Sequence, residues 1–131
     1  MTYGHAAVSY RERDVLTASP AKLVLIIYDH LLANLRRARF AIDSNRVDVR
    51  VEAVGKARDA VVELLASTDV ERGGQIARNL RELYVFMFSE LNDVVRAPDA
   101  ARVDRLIEIV NTLRDGFATI AVMPSVATPA A

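Results

Sequence analysis

Few groups in this 131-residue sequence have the type and spacing to do chemistry, and His30 is the most suggestive of them. It sits within "LVLIIYDHLLANL" (residues 23–35), and an imidazole displayed on a helix can accept a phosphoryl group through a ring nitrogen. A histidine phosphotransfer bundle carries a basic residue three positions later and a glycine at the fourth, which clears space around the ring. Ala33 and Asn34 stand there instead. With Leu31 and Leu32 beside it, His30 reads as a partly buried flank residue, and His5 as a solvated one. A di-iron bundle needs inward Glu residues with Glu-x-x-His pairs, and no Glu here has His at the third position. No H-E-x-x-H, phosphate-cradling glycine loop or nucleophile elbow is present. The sequence has no cysteine, which removes disulfides and thiolate chemistry. No catalytic residue, metal or cofactor is expected. Arg36, Arg37 and Arg39 lie near Asp29, Asp43 and Asp48 and read as a charge-balanced, solvated face. Nucleic-acid binding calls for a more extended basic surface.

The elements that would carry these groups are helical. Hydrophobic residues make up 52% of the chain, enough for a real core, and 17 basic residues balance 17 acidic ones. No global field therefore favours nucleic acid or an anionic membrane. The longest apolar run, "LVLIIY" (residues 23–28), falls far short of the ~20 residues that span a bilayer. With no signal-peptide layout at the start, the chain reads as soluble and cytoplasmic. Residues 1–16 form an N-terminal arm or a short helix, a choice the pattern leaves open. Ser19 can cap the first helix, with Pro20 at its first position. Val24, Tyr28, Leu31, Leu35, Ala38 and Ile42 then recur at spacings of 4, 3, 4, 3 and 4, the seam of a helix packed lengthwise on others. "RVDVRVEAV" (residues 46–54) alternates like a strand, yet Val47, Val51, Val54, Ala57, Val61 and Leu64 trace a longer helical face. Helix is the better reading, since a strand would have no strand partner. The expected helices are 19–43, 46–67, 75–97 and 99–121, inside a bundle of 17–122, with a disordered tail at 123–131. Glycines 73 and 74 break before the third helix, and Pro98 with Asp99 separates it from the fourth. The fourth repeats Val103, Leu106, Val110, Leu113, Phe117 and Ile120. The expected fold is an all-α antiparallel four-helix bundle.

The third helix carries more apolar surface than one core can use. Its face holds Ile76, Leu80, Leu83, Tyr84, Met87, Leu91 and Val94, but at 100° per residue Phe86 points nearly opposite Tyr84, while Phe88 shares the Tyr84 side. Two readings follow: an enclosed helix, or surface kept for a partner, since a large exposed apolar patch marks an interaction site.

Two stretches carry a resemblance. "AAVSYRERDVLTASPAKLVLIIYDHLL" (residues 6–32) and "GGQIARNLRELYVFM" (residues 73–87) resemble the flagellin-specific export chaperones, or flagellar secretion chaperones, of bacteria. The shared features are an alanine-rich start, a tyrosine, Thr-Ala-Ser-Pro and a leucine-rich turn into Tyr-Asp, then Gly-Gly, Ile-Ala, Asn-Leu and Leu-Tyr. The likeness covers about residues 6–121. His30 departs from it where a small residue is usual, Phe88 where a polar or basic one is common, and Phe117 where tryptophan is frequent.

The resemblance implies a non-enzymatic bundle whose partner is the disordered C-terminal region of flagellin, held in the cytosol against premature polymerisation. It also implies presentation to the flagellar type III export gate, a candidate second partner. The client would wrap around the bundle, become partly helical and lay apolar side chains into surface grooves. Client contacts are expected at Tyr10, Val15, Leu23, Ile27, Ile76, Asn79, Leu80 and Tyr84, with Tyr10 and Val15 covering the surface when the client is absent. Asn79 could hydrogen-bond a client backbone or serve a structural role. Two alternatives stay open: a phosphotransfer bundle using His30, and a homodimerising bundle joined through Phe86 and Phe88. Neither monomer nor weak dimer is selected by the pattern.

Overall fold

The computed structural model describes residues 20–122, in four helices: α1 (Pro20–Asp43), α2 (Val47–Ser67), α3 (Val70–Arg96) and α4 (Ala100–Val122). Tyr10, Val15 and Ser19, with the expected arm and tail, lie outside the described residues. The fold is an all-α antiparallel four-helix bundle, with no strand among the described residues. The antiparallel sense follows from pairs whose numbers rise on one helix as they fall on the next. Asp29 pairs with Arg114 and Arg39 with Asp104 between α1 and α4. Arg58 Nη1 donates to Asn92 Oδ1 at 2.9 Å between α2 and α3.

Tyr28, Leu31, Leu35 and Ala38 on α1 are buried, with Val24 and Ile42 half-buried at the two ends of the same stripe. The turn after α1 is a left-handed cap. Asn45 takes φ 55°, and the Arg46 N–H reaches back to Ala41 O at 2.8 Å. Asparagine tolerates that conformation better than other non-glycine residues.

The helical reading of residues 46–54 holds, and the expected stripe is buried from Val54 through Leu64, but not in the first turn of α2. Ala53, Val54, Ala57, Ala60, Val61 and Leu64 are buried, whereas Val47 and Val51 face outward. Arg50 takes the inward position one turn ahead of them. The helical face extrapolated from Val54 back to Val47 thus fails in the first turn, where the helix end lies beyond the packed core.

The third helical element opens at Val70, with a short first turn ahead of the expected helix from Gln75. Asp69 Oδ1 accepts hydrogen bonds from the Glu71 and Arg72 N–H groups at 3.1 and 3.2 Å, which starts the helix before the glycines. Gly74 then takes φ 57°, ψ −134°, outside the helical region, so a short first turn and the main helix from Gln75 meet across a kink, and the glycines break the helix where the sequence placed the break. At the far end Ala97 is extended, as the residue before Pro98 prefers, and Asp99 caps α4 through the Arg102 N–H at 3.0 Å.

Around the bundle the order is α4, α1, α2, α3. The α1–α2 contact is the most extensive of the neighbouring pairs and the α3–α4 contact the sparsest. The two helices in closest contact are rich in buried alanine: Ala38 and Ala41 on α1, with Ala53, Ala57 and Ala60 on α2. No helix among the described residues is long and apolar enough to cross a membrane.

Candidate functional site

The sparse α3–α4 contact leaves a seam whose lining follows from helix geometry. On α3, Ile76, Leu83 and Glu90 are spaced by sevens, and seven residues bring a side chain back to within about 20° of the same direction. On α4, Arg102 and Ile109 are so related, as are Leu113 and Ile120, within the same quadrant. Arg102 Nε lies 3.0 Å from Glu90 Oε2, so these two faces look at each other. Arg102 also donates from Nη1 to Asp93 Oδ2 at 2.6 Å, and Asp93 accepts from Arg96. Those two guanidinium bonds hold the Asp93 carboxyl below its usual range. The charged knot ties the seam at the α3–α4 link. Beyond it the facing residues turn apolar. Leu83, Ile109 and Leu113 are half-buried, while Ile120 is 55% exposed and Ile76 is 74% exposed.

At its open end the seam meets a hollow of about 340 Å³, whose walls include Val24 of α1, Thr68 at the end of α2, Asp69 and Arg72 at the rim, Ile76, Leu80 and Tyr84 of α3, and Phe117 of α4. The floor is polar only in a satisfied way. The Tyr28 and Tyr84 hydroxyls hydrogen-bond each other at 2.5 Å, and the Phe117 ring packs on Tyr28 with centroids 5.5 Å apart. Burial pushes both phenols above their ordinary pKa, and Tyr28 is raised further by the bond to Tyr84. Both stay neutral, and the hollow presents mainly carbon. Apolar walls of this kind suit an aliphatic or aromatic side chain.

The expected client contacts fall into three groups. Ile76, Leu80 and Tyr84 come together at the hollow. Tyr84 is only 2% exposed and spends its hydroxyl on Tyr28, so it forms the floor more than the surface. Leu23 and Ile27 are half-buried and do not line the hollow, and Ile27 packs on the core. Asn79 is exposed and accepts a hydrogen bond from Gln75 Nε2 at 2.8 Å, one helical turn away. The sequence reading placed Val24 and Phe117 in the core stripe and passed over Leu83, Ile109 and Ile120 as seam residues. Their helical spacing was visible, but which helices neighbour each other was not.

Phe86 is 47% exposed whereas Phe88 is half-buried against the core, as the near-opposite directions of Phe86 and Tyr84 require. His30 is half-buried, and Asn34 Nδ2 lies 3.3 Å from His30 Nε2 and donates to His30 O at 3.0 Å. The imidazole is engaged by its own helix rather than displayed. The arginine cluster is likewise engaged: Arg37 reaches Glu52 at 3.3 Å, and Arg39 bridges Asp43 and Asp104. Among the described residues no three metal-ligating side chains gather.

An antiparallel bundle with one seam tied at one end and apolar along its length defines a helical binding protein. The sequence matches the family described as Flagellar protein FliS over residues 3–124, and the chain belongs to that family. It is 30% identical over 106 residues to the flagellar secretion chaperone FliS of Vibrio cholerae, covering 81% of this chain and 78% of that one. It is 31% identical over 110 residues to the flagellar secretion chaperone FliS of Salmonella typhimurium, covering 83% and 82%. The flagellar secretion chaperone FliSB of Pseudomonas aeruginosa is 27% identical over 106 residues, with 81% and 84% covered. The biology of the family is flagellum assembly and protein export.

Proposed function

We propose that this protein is a cytoplasmic chaperone for flagellin, which holds the disordered C-terminal region of its client against premature polymerisation and assists delivery to the flagellar type III export apparatus. The observation that carries this reading is the α3–α4 seam beyond its charged knot, with Ile76 and Ile120 exposed beside half-buried Leu83, Ile109 and Leu113. An amphipathic client segment, folding as it binds, lays its apolar face there and into the hollow beside Leu80. Ordering a disordered client costs roughly 2–5 kcal/mol of the gross interaction energy, so extended apolar contact is required. Tyr10 and Val15, in the arm before α1, cover this surface in the absence of client and contact the client when it is bound. Leu23, Ile27 and Asn79 lie outside the hollow and serve where the client continues around the bundle.

The test is calorimetric titration with the C-terminal segment of flagellin from the same organism. A one-to-one complex, weakened at least tenfold by Leu80→Glu with helicity retained, supports the reading. Absence of binding to both the segment and full-length unpolymerised flagellin overturns it.

A further inference from the structure

The other end of the bundle holds a feature that the seam does not use. Between the α1–α2 turn and the α3–α4 link lies a hollow of about 310 Å³, with Ile42, Asn45, Arg46, Val47, Arg50 and Pro98 in its walls. It is roughly 27 Å from the Val24 end of α1, the rise of the 18 residues between Val24 and Ile42 at ~1.5 Å each. No acidic side chain lines it.

Arg50 is the unusual member. It is 8% exposed, yet it makes no ion pair with any described carboxylate, and its Nε is without a partner. The one hydrogen bond of its guanidinium among the described residues is a long contact of 3.5 Å from Nη2 to Val95 O. Arg37, Arg39, Arg102 and Arg114, all more exposed, each have a carboxylate. A buried guanidinium without a counter-charge is costly, and the cost is relieved when an anion arrives. A second observation lies beside it. Arg46 is extended at the start of α2 and gives no side-chain cap, so the N–H groups of Val47, Asp48 and Val49 lack helical acceptors, while the first return bond is from Arg50 N–H to Arg46 O. The positive end of a 21-residue helix therefore opens on the same space. Asp48 is the carboxylate of that turn, and it is exposed and absent from the lining.

We propose that this hollow is a second binding site, which takes a carboxylate carried on an apolar residue of a partner peptide. A guanidinium fork matches a planar carboxylate through two parallel N–H bonds. The flanking Ile42, Val47 and Pro98 then cover the stem that carries it. Those walls favour a monoanion on a hydrocarbon stem over a strongly hydrated phosphate dianion. The carboxylate can come from a chain terminus or from an Asp or Glu side chain. The site does not depend on what occupies the α3–α4 seam.

The test is NMR titration of the full-length ¹⁵N-labelled protein, observing the amides of residues 47–49 and the Arg50 side chain. The probes are N-acetyl-Ala-Leu with a free terminal carboxylate, its terminal amide, N-acetyl-Asp-Leu amide and inorganic phosphate. Saturable shifts with either acid and none with the neutral amide are expected, and which acid binds more tightly identifies the source of the carboxylate. Arg50→Met, a length-matched apolar replacement, abolishes them while helicity is retained. Should that variant unfold, Val47→Asp at the exposed rim provides the alternative, weakening the acids by about tenfold through like-charge repulsion. No saturable shift with either acid, equal shifts with the neutral amide, equal binding of phosphate, or acid binding unchanged in the variant that folds would each overturn the proposal.

Discussion

Where α1 meets α2, the bundle is built on small side chains. Ala38, Ala41, Ala53, Ala57 and Ala60 are all buried, and alanine lets two backbones approach closely. Where α3 meets α4, the facing residues are Ile76, Leu83, Ile109, Leu113 and Ile120, and none of these is fully buried. Both seams belong to amphipathic helices of similar length in one antiparallel fold. The difference teaches that an apolar stripe does not by itself close a seam. Here the α3–α4 contact stays sparse, and the charged knot of Arg102 with Glu90 and Asp93 ties only one end of it.

If the two seams divide stability from binding, substitutions should separate the two properties. The largest effect on stability is expected at Leu35, which is fully enclosed on α1. Leu35→Ala lowers unfolding free energy by about 2–5 kcal/mol in urea titration, through lost burial and the cavity left behind. Overpacking the alanine-rich side comes next. Ala57→Leu costs about 1–3 kcal/mol by the same measurement, because the extra methyl groups must displace a backbone or a neighbour.

A smaller, pH-dependent effect is expected at the knot. The folded-state pKa of Asp93 is depressed by Arg96 and Arg102, so its contribution is present above the ordinary carboxylate range and disappears as pH falls through the folded value. Asp93→Asn should therefore show its greatest destabilisation near neutral pH and converge with the parent protein only as pH falls below the ordinary carboxylate range, with less difference at high salt. The cluster is partly exposed, and urea midpoints across pH measure it. The smallest stability effect belongs to Ile76→Ser on the open seam, within about 0.5 kcal/mol of the parent. The same substitution should weaken the flagellin segment by about tenfold in calorimetry, since Ile76 is free to be covered.

The sequence made the core of α1 legible because its 3-and-4 spacing is long and uninterrupted, and Tyr28, Leu31, Leu35 and Ala38 are indeed enclosed. The caps of α4 and the end of α1 were legible for a local reason: Asp99, Asn45 and Pro98 act on their own backbone neighbours. What was not legible depends on long-range partners. Tyr84 looked like a contact residue until its hydroxyl met Tyr28, 56 positions away. Val51 was expected on the buried face but is exposed, while its neighbour Arg50 is buried, because spacing alone does not fix which side of a helix's first turn faces inward. Likewise Ile120 continued a core stripe by spacing, yet it is more than half exposed.

The most direct measurement is photocrosslinking of client to a benzoyl-phenylalanine placed in turn at four exposed apolar positions, Ile76 and Ile120 on the open seam and Phe40 and Val51 on α1 and α2. The account predicts strong crosslinks to the flagellin C-terminal segment from positions 76 and 120. Crosslinks confined to positions 40 and 51, with none from 76 or 120, would contradict it.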